Sequence, residues 1–194
     1  MITKEMDRFF KTKDGQEIGV RHLRFDDAVY LVDLFENMSS DSRYRRFHQP
    51  ADNMHPGRIW REAETIAHLG ASRQEGLLAF ADLPNRPNAP VAAARYVCLG
   101  DGCAEAAVSV RDDMQGKGIG TQLLVMLTEE AHEHGIQKLV ADVMNNNRAI
   151  LAILWKLPFV VTRQPDGLYS TLIIDLNRRK TDEPGYVEDT AVSC

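Results

Sequence analysis

Nowhere along its 194 residues does this chain hold an apolar run near the roughly 18 residues that a membrane-spanning helix needs. Its start, MITKEMDRFFKTKDG, also lacks an apolar stretch that would serve as a signal peptide. No membrane partner is therefore expected, and a cytoplasmic protein is. Cysteine is scarce: Cys98, Cys103 and Cys194 form neither a disulfide framework nor a zinc spacing. Disulfides and metal sites are not expected, and a reducing compartment is. His132 and His134 stand two apart, hence on different faces of a helix, and His48, His55 and His68 have no ligand spacing. Basic excess is absent too. Lys and Arg number 23 against 28 for Asp and Glu, a net charge of -5. That argues against a nucleic-acid partner and suits a cationic substrate.

What remains is ordinary for one globular domain, with 44% hydrophobic and 26% charged residues. Residues 1–14, polar and of mixed charge, read as a flexible arm or an edge strand, and the domain is expected over 15–177. Residues 18–23 alternate as a strand. Asp26 or Asp27 can cap a helix carrying Ala28, Leu31, Val32, Leu34 and Phe35. Residues 39–42 are a break with a second cap, ahead of a short stretch over 43–48. Residues 56–69 repeat at helical spacing. Strands are expected over 77–82, 91–99 and 104–110, the first two separated by a turn-rich stretch over 84–88. A long amphipathic helix follows, with Leu123, Leu124, Leu127 and Ala131 on one stripe and Gly135 at its end. Residues 139–143 read as a strand and 147–157 as a helix. Residues 159–162 and 169–176 read as closing strands. Trp60 and Trp155 fall on helical faces and are expected in the core. Residues 178–194 show no periodicity and read as a disordered tail. The order predicts an α+β fold, a mixed sheet with helices on its faces.

Between the third of the central strands and the long helix runs VRDDMQGKGIGT, residues 110–121. Gly116, Gly118 and Gly120 permit a turn whose N–H groups converge with no side chain in the way. The helix beginning there adds the positive end of its dipole, so an anion suits the site. The Walker pattern fails, because Lys117 is followed by Gly118 rather than Ser or Thr. The dinucleotide fingerprint fails by one position, and the downstream order is wrong for a Rossmann half. A glycine-rich turn without a ligand is the plain alternative.

Gln115, Gly118 and Gly120 do satisfy Q/R-x-x-G-x-G/A, and the stretch resembles the pyrophosphate loop of the GNAT acetyltransferases. NRAILAILWKLPF, from Asn147 to Phe159, resembles their second cofactor segment, in which an Asn opens a helix and a Phe stands twelve positions on. By themselves these two residues would be a plain cap and plain core. The resemblance covers residues 18–176. It implies the GNAT fold, with a mostly antiparallel mixed sheet, and acetyl-CoA as co-substrate without a metal. It implies cofactor contacts at Val108, Ser109, Val110, Gln115, Gly116, Lys117, Gly118, Ile119, Gly120, Thr121 and Asn147. Glu105, on the strand leading to the loop, is implied as the general base. It would take a proton from an ammonium whose reference pKa is near 10.4, and partial burial would make it a better base. From local sequence alone a solvent-facing glutamate is the alternative. A backbone N–H of Ser109, Val110 or Arg111 is implied for the oxyanion.

Two departures stand out. Leu154 occupies the place of a tyrosine that protonates the thiolate in many relatives, and Pro158 stands where glycine is usual. A narrower resemblance, in LFENMSSDSRYRRF (34–47) and AEAAVSVRDD (104–113), is to bacterial protein-lysine acetyltransferases that modify acyl-CoA synthetases. It implies a protein lysine as acceptor. A small amine as acceptor and a catalytically silent acetyl-CoA-binding module stay open, and a homodimer is compatible with all three. Arg43, Arg45 and Arg46 line the substrate side, reach the cofactor's 3′-phosphate, or form a solvated turn.

Overall fold

A computed structural model describes residues 6–47, 56–68, 74–154, 156–180 and 187–188. The hairpin β1 (Arg8–Lys11) and β2 (Glu17–His22) is followed by α1 (Ala28–Glu36), α2 (Ser40–Phe47) and α3 (Pro56–His68). Then come β3 (Gln74–Leu83), β4 (Arg86–Gly100), β5 (Cys103–Val110), α4 (Ile119–Glu133), β6 (Lys138–Met144) and α5 (Arg148–Leu154). The strands β7 (Phe159–Asp166), β8 (Tyr169–Arg179) and β9 (Val187–Glu188) close the described chain. All nine strands lie in one sheet, ordered β1-β2-β3-β4-β5-β6-β8-β7-β9. Only β5 with β6 and β7 with β9 run parallel.

Strand alternation sorts the core into two layers. Leu78 and Phe80 of β3 face α1 and α3, where Leu31, Leu34, Phe35, Ala63 and Ile66 are buried. Leu77, Ala79 and Ala81 face the other way, onto a core that includes Leu123, Leu124, Leu127 and Ala131 of α4. The α4 stripe thus buries as its spacing predicts. The helix stops where Gly135 N–H reaches the His132 carbonyl at 3.0 Å and Ile136 N–H the Ala131 carbonyl at 2.9 Å, a Schellman closure.

Several expectations need correction. Of the two readings of residues 1–14, a flexible arm or an edge strand, residues 8–11 take the second as β1, which pairs with β2 from Arg8↔Val20 to Lys11↔Glu17. Phe10 packs against the core from this strand, which gives it a reason to stay. The turn over 84–88 is tighter than expected. Leu83 already pairs with Arg86, leaving Pro84 and Asn85 as the turn, with Asn85 at φ 61°. Strand β8 runs two residues past the expected boundary, and Val187 and Glu188 pair with Val161 and Thr162. The rest of the expected tail lies outside the described residues, as do Trp155, His48 and His55. Helix α5 ends at Leu154 rather than 157, since Pro158 disfavours helical backbone before it. Trp60 is 42% exposed, not core. Cys103 is disulfide-bonded while Cys98 keeps a free thiol, because an odd count excludes only a fully paired set. No helix among the described residues is long and apolar enough to cross a membrane.

Asp27 stands at the N-cap of α1 as expected, but its side chain makes no cap bond. Its carboxylate instead receives Arg21 in a fork, Nη1 to Oδ2 at 2.6 Å and Nη2 to Oδ1 at 2.7 Å, and the Arg24 N–H at 2.6 Å. Both side chains of the pair are buried, and the Arg21 guanidinium lies 5.0 Å over the Phe80 ring. This pair ties β2 to the start of α1. Asp27→Ala would strand a buried cation, so it should destabilise the protein by about 3–5 kcal/mol. Urea denaturation reads the difference, and a loss below about 1 kcal/mol would mean the pair is structurally idle.

Candidate functional site

Parallel pairing of β5 with β6 stops early. Cys103, Ala104 and Glu105 match Lys138, Leu139 and Val140, and then the strands part, although β5 continues to Val110 and β6 to Met144. On their outer sides both strands remain paired, β5 with β4 and β6 with β8. The gap opens into a cleft of about 640 Å³, lined along β5 by Glu105 to Val110 and along β6 by Ala141 to Val143. Backbone groups on the facing edges have lost their ladder partners, and buried groups of that kind need others.

Which N–H groups face the cleft follows from the other ladder. Arg111 donates its N–H to the Val91 carbonyl at 3.0 Å, which removes it from the oxyanion candidates. Antiparallel alternation then turns the Ser109 N–H to Ala93 and leaves those of Val108 and Val110 on the open side.

At the far end of β5 the glycine loop reaches α4. Gly118 is the N-cap of α4, with φ 94°, a left-handed conformation that side chains resist. A Cβ on Gly120 would come within 3.1 Å of Ile153 Cδ1 and 3.3 Å of Val110 Cγ2, so here glycine lets the first turn of α4 approach β5 and α5. The first N–H groups of α4 lack intrahelical partners and lie at this end of the cleft. That is a fitting cradle for a phosphate.

The loop is braced from outside. Asp112 accepts from Ser39 N–H at 2.5 Å, Ser39 Oγ at 3.0 Å and Ser42 Oγ at 2.7 Å, fastening α2 to the loop. Ser39 also caps α2, receiving the Ser42 N–H at 3.3 Å. Gln115 Nε2 donates to the Val110 carbonyl at 3.0 Å and lies 3.2 Å from Ser42 Oγ. Burial would raise the Asp112 carboxyl, but the Ser42 and Ser39 hydrogen bonds outweigh it and hold it below the usual range. On the other flank Lys117 Nζ donates to Asp14 at 2.8 Å and helps draw that carboxyl down to about 2.

The opposite half of the cleft is charged. Arg45 and Arg46 of α2, Arg58 and Glu62 of α3, and Glu105 line it. Helix α5 closes a third side, with Asn147 Oδ1 receiving the Ile150 N–H at 3.3 Å.

This arrangement, an anion cradle at one end of a cleft between diverging strands, meets a matching family model. Residues 31–154 match the acetyltransferase (GNAT) family. The chain belongs to that family. The GNAT domain of S. lividans PAT superposes with a TM-score of 0.73 at 25% identity, covering 87% of this chain and 96% of that one. An acetyltransferase of Pseudomonas aeruginosa, PA5475, is 26% identical over 83% of each chain. An L-methionine sulfoximine/L-methionine sulfone acetyltransferase of Pseudomonas paraeruginosa is 40% identical over 63 residues, which is 32% of this chain and only 37% of that relative.

Of the GNAT residues expected from sequence, Glu105, Val108, Ser109, Val110, Gln115, Gly116, Gly118, Ile119, Gly120, Thr121 and Asn147 all line the cleft. Lys117 does not line it, and its ammonium is held by Asp14. Glu105 is exposed, so the partial burial expected of it is absent. Leu154 is buried and lines the cleft, bringing no proton donor to the place of the usual tyrosine. Among the described residues no cluster of three or more His, Cys, Asp or Glu can hold a metal. Lys13, Ser42, Arg58 and Glu62 went unnoticed in the sequence, since each reaches the cleft from a distant segment and none carries a local signal.

Two outcomes follow from the loop. Gly118→Val places a branched residue at a left-handed position of the cradle, and should abolish the thermal shift that acetyl-CoA gives the native protein. An unchanged shift in the folded variant would remove the loop from the site. A depressed carboxyl stabilises the fold above its unfolded pKa, near 3.9, and loses that contribution as pH falls through its lower folded value. Asp112→Asn should therefore lower Tm at pH 7, with a gap to the parent that narrows as pH falls below about 4. A gap that stays constant on acidification would show that the Asp112 charge is not what fastens α2.

Proposed function

We propose that the chain transfers the acetyl group of acetyl-CoA to a primary amine, by direct attack in a ternary complex. The observation that carries this reading is the place of Glu105. It stands where β5 and β6 part, at the root of a cleft whose other end is the phosphate cradle. From Glu105 to Val110 the strand rises about 17 Å, room for an extended thioester arm whose amides can pair with the open edge of β5. Gly116, Gly118, Gly120 and the start of α4 hold the pyrophosphate in this reading, and Asn147 holds α5 beside the arm.

With the phosphates at the loop, the thioester lies toward Glu105. The Val108 N–H is then better placed for the oxyanion than that of Val110, which borders the loop. Glu105 takes a proton from the acceptor ammonium, directly or through water. The freed nitrogen attacks the thioester carbonyl, the C–N bond forms and the C–S bond breaks. The thiolate leaves and takes its proton from water, Leu154 having none to give.

Our finer reading of the acceptor is a lysine on a folded protein, such as an acyl-CoA synthetase. The resemblance of residues 34–47 to the protein-modifying branch and the overlap with the PAT domain support it. The local match to an amino-acid acetyltransferase favours a second reading, a small amine. A cytoplasmic location belongs to the proposal as well. Turnover of acetyl-CoA separates both readings from a silent binding module.

Glu105→Gln should lower kcat by about 10²–10⁴-fold, the range for loss of a general base. Acetyl-CoA affinity, read by calorimetry on the same folded variant, should stay nearly intact. Near-parent turnover with an unmoved acid limb of the pH profile would take the base role away from Glu105.

A further inference from the structure

The lysine of the glycine loop, Lys117, is engaged by Asp14 at 2.8 Å and does not line the cleft. Lys13, the neighbour of Asp14, does line it, together with Gly116, Gly118, Gly120 and Thr121. It stands in the turn between β1 and β2, outside the residues 31–154 that match the family model. That turn is tightly closed. Thr12 N–H donates to the Gln16 carbonyl at 2.9 Å, Gly15 N–H to the Thr12 carbonyl at 3.0 Å, and Gln16 N–H to Thr12 Oγ1 at 2.9 Å. Lys13 N–H then fastens the turn to the glycine loop, 3.1 Å from the Lys117 carbonyl. The Cγ and Cε of Lys13 lie 3.9 Å from where a Cβ on Gly118 would stand, so the stem runs beside the N-cap of α4. Lys13 is exposed, and among the described residues its ammonium has no hydrogen bond or ion pair. The carboxylates that brace the loop are engaged elsewhere, Asp14 by Lys117 and Asp112 by Ser39 and Ser42. A lone cation beside a helix N-terminus is unfavourable, because the positive end of the dipole repels it. A phosphate in the cradle turns that repulsion into a charge-assisted contact.

We infer that Lys13 is the cation that meets the pyrophosphate of acetyl-CoA at the glycine loop. The inference rests on acetyl-CoA binding at this cleft. It makes the N-terminal hairpin part of the cofactor site, and not only a brace behind it. A lysine suits an exposed contact of this kind, since its compact charge rides on a flexible stem and needs no single oxygen geometry. Asp14 serves the same end. Paired with Lys117, its charge is not left to compete with the phosphates for Lys13.

The test measures binding by calorimetry, with ligands that differ in their phosphates. Lys13→Met keeps an aliphatic stem and the backbone N–H, so the variant should match the parent in unliganded Tm. Its Kd for acetyl-CoA should rise by roughly tenfold or more, the cost of losing a hydrogen bond to a charged group. The Kd for 3′-dephospho-acetyl-CoA should rise by the same factor, since that ligand keeps the pyrophosphate. Lys13→Arg should restore most of the affinity. Unchanged affinity of Lys13→Met for acetyl-CoA overturns the inference. So does a loss that is absent with the dephospho ligand, since Lys13 would then serve the 3′-phosphate. A loss that Lys13→Arg does not restore, together with a lowered unliganded Tm, overturns it too, because Lys13 would then only hold the turn. If the parent itself binds no acetyl-CoA, the reading of the cleft has failed and the inference falls with it. That outcome is distinct from a parent and a variant that bind equally well.

Discussion

The divergence of β5 from β6 after Glu105 is the constraint on which the rest of the site depends. A parallel pair needs a crossover, and here the crossover is α4, whose start must lie near the C-terminal end of β5. Once the strands part, that start is left at the mouth of an open cleft rather than over a closed sheet. The phosphate cradle and the unpaired strand edges are thus consequences of one connection. The gap persists because each half is held elsewhere, β5 by its full ladder to β4 and β6 by its full ladder to β8. Neither strand can shift to close it without breaking the ladder behind it.

Around that gap the supporting contacts come from segments far apart in the chain. The carboxylate of Asp112 fastens α2 to the glycine loop. Asp14 fastens the first hairpin to the loop's other flank through Lys117, and Lys13 N–H donates to the Lys117 carbonyl at 3.1 Å. The loop is therefore gripped between the N-terminal hairpin and the helix that lines the acceptor half. The anion cradle and the charged half of the cleft are thereby joined through one loop, as the proposed attack in a ternary complex requires.

What was legible in the sequence was what local spacing can encode. The glycines at 116, 118 and 120, the α4 stripe and the Asn147 cap are set by neighbours within a few residues, and the structure places them as read. Long-range placement was not legible. Asp112 looks like one more loop acid, and nothing nearby says that it fastens a helix about seventy positions away. Nothing near Lys117 in the chain says that the hairpin brings Asp14 to its ammonium. Glu105 sits in a run of alanines and valines that suggests burial, but the apolar surroundings belong to the other face of the strand. Lys13 and Gly118 lie in separate segments and meet only in the fold.

Strand β5 shows how one short segment meets three demands at once. Its Val108 and Val110 side chains turn toward α4 and Ile153, where they receive the close approach that Gly120 permits. Glu105, Ala107 and Ser109 turn the opposite way, toward α2 and α3, and present the carboxylate to the acceptor half. The backbone edge between them, past Glu105, is left unpaired by β6. Alternation makes these assignments mutually exclusive, so a one-residue slip of β5 against β4 would exchange all of them. It would bury Glu105 under α4 and turn the valines into the charged half. The long β4–β5 ladder, from Ala92↔Val110 to Cys98↔Ala104, is what fixes that register. The chemistry of the cleft therefore depends on a pairing that lies outside it.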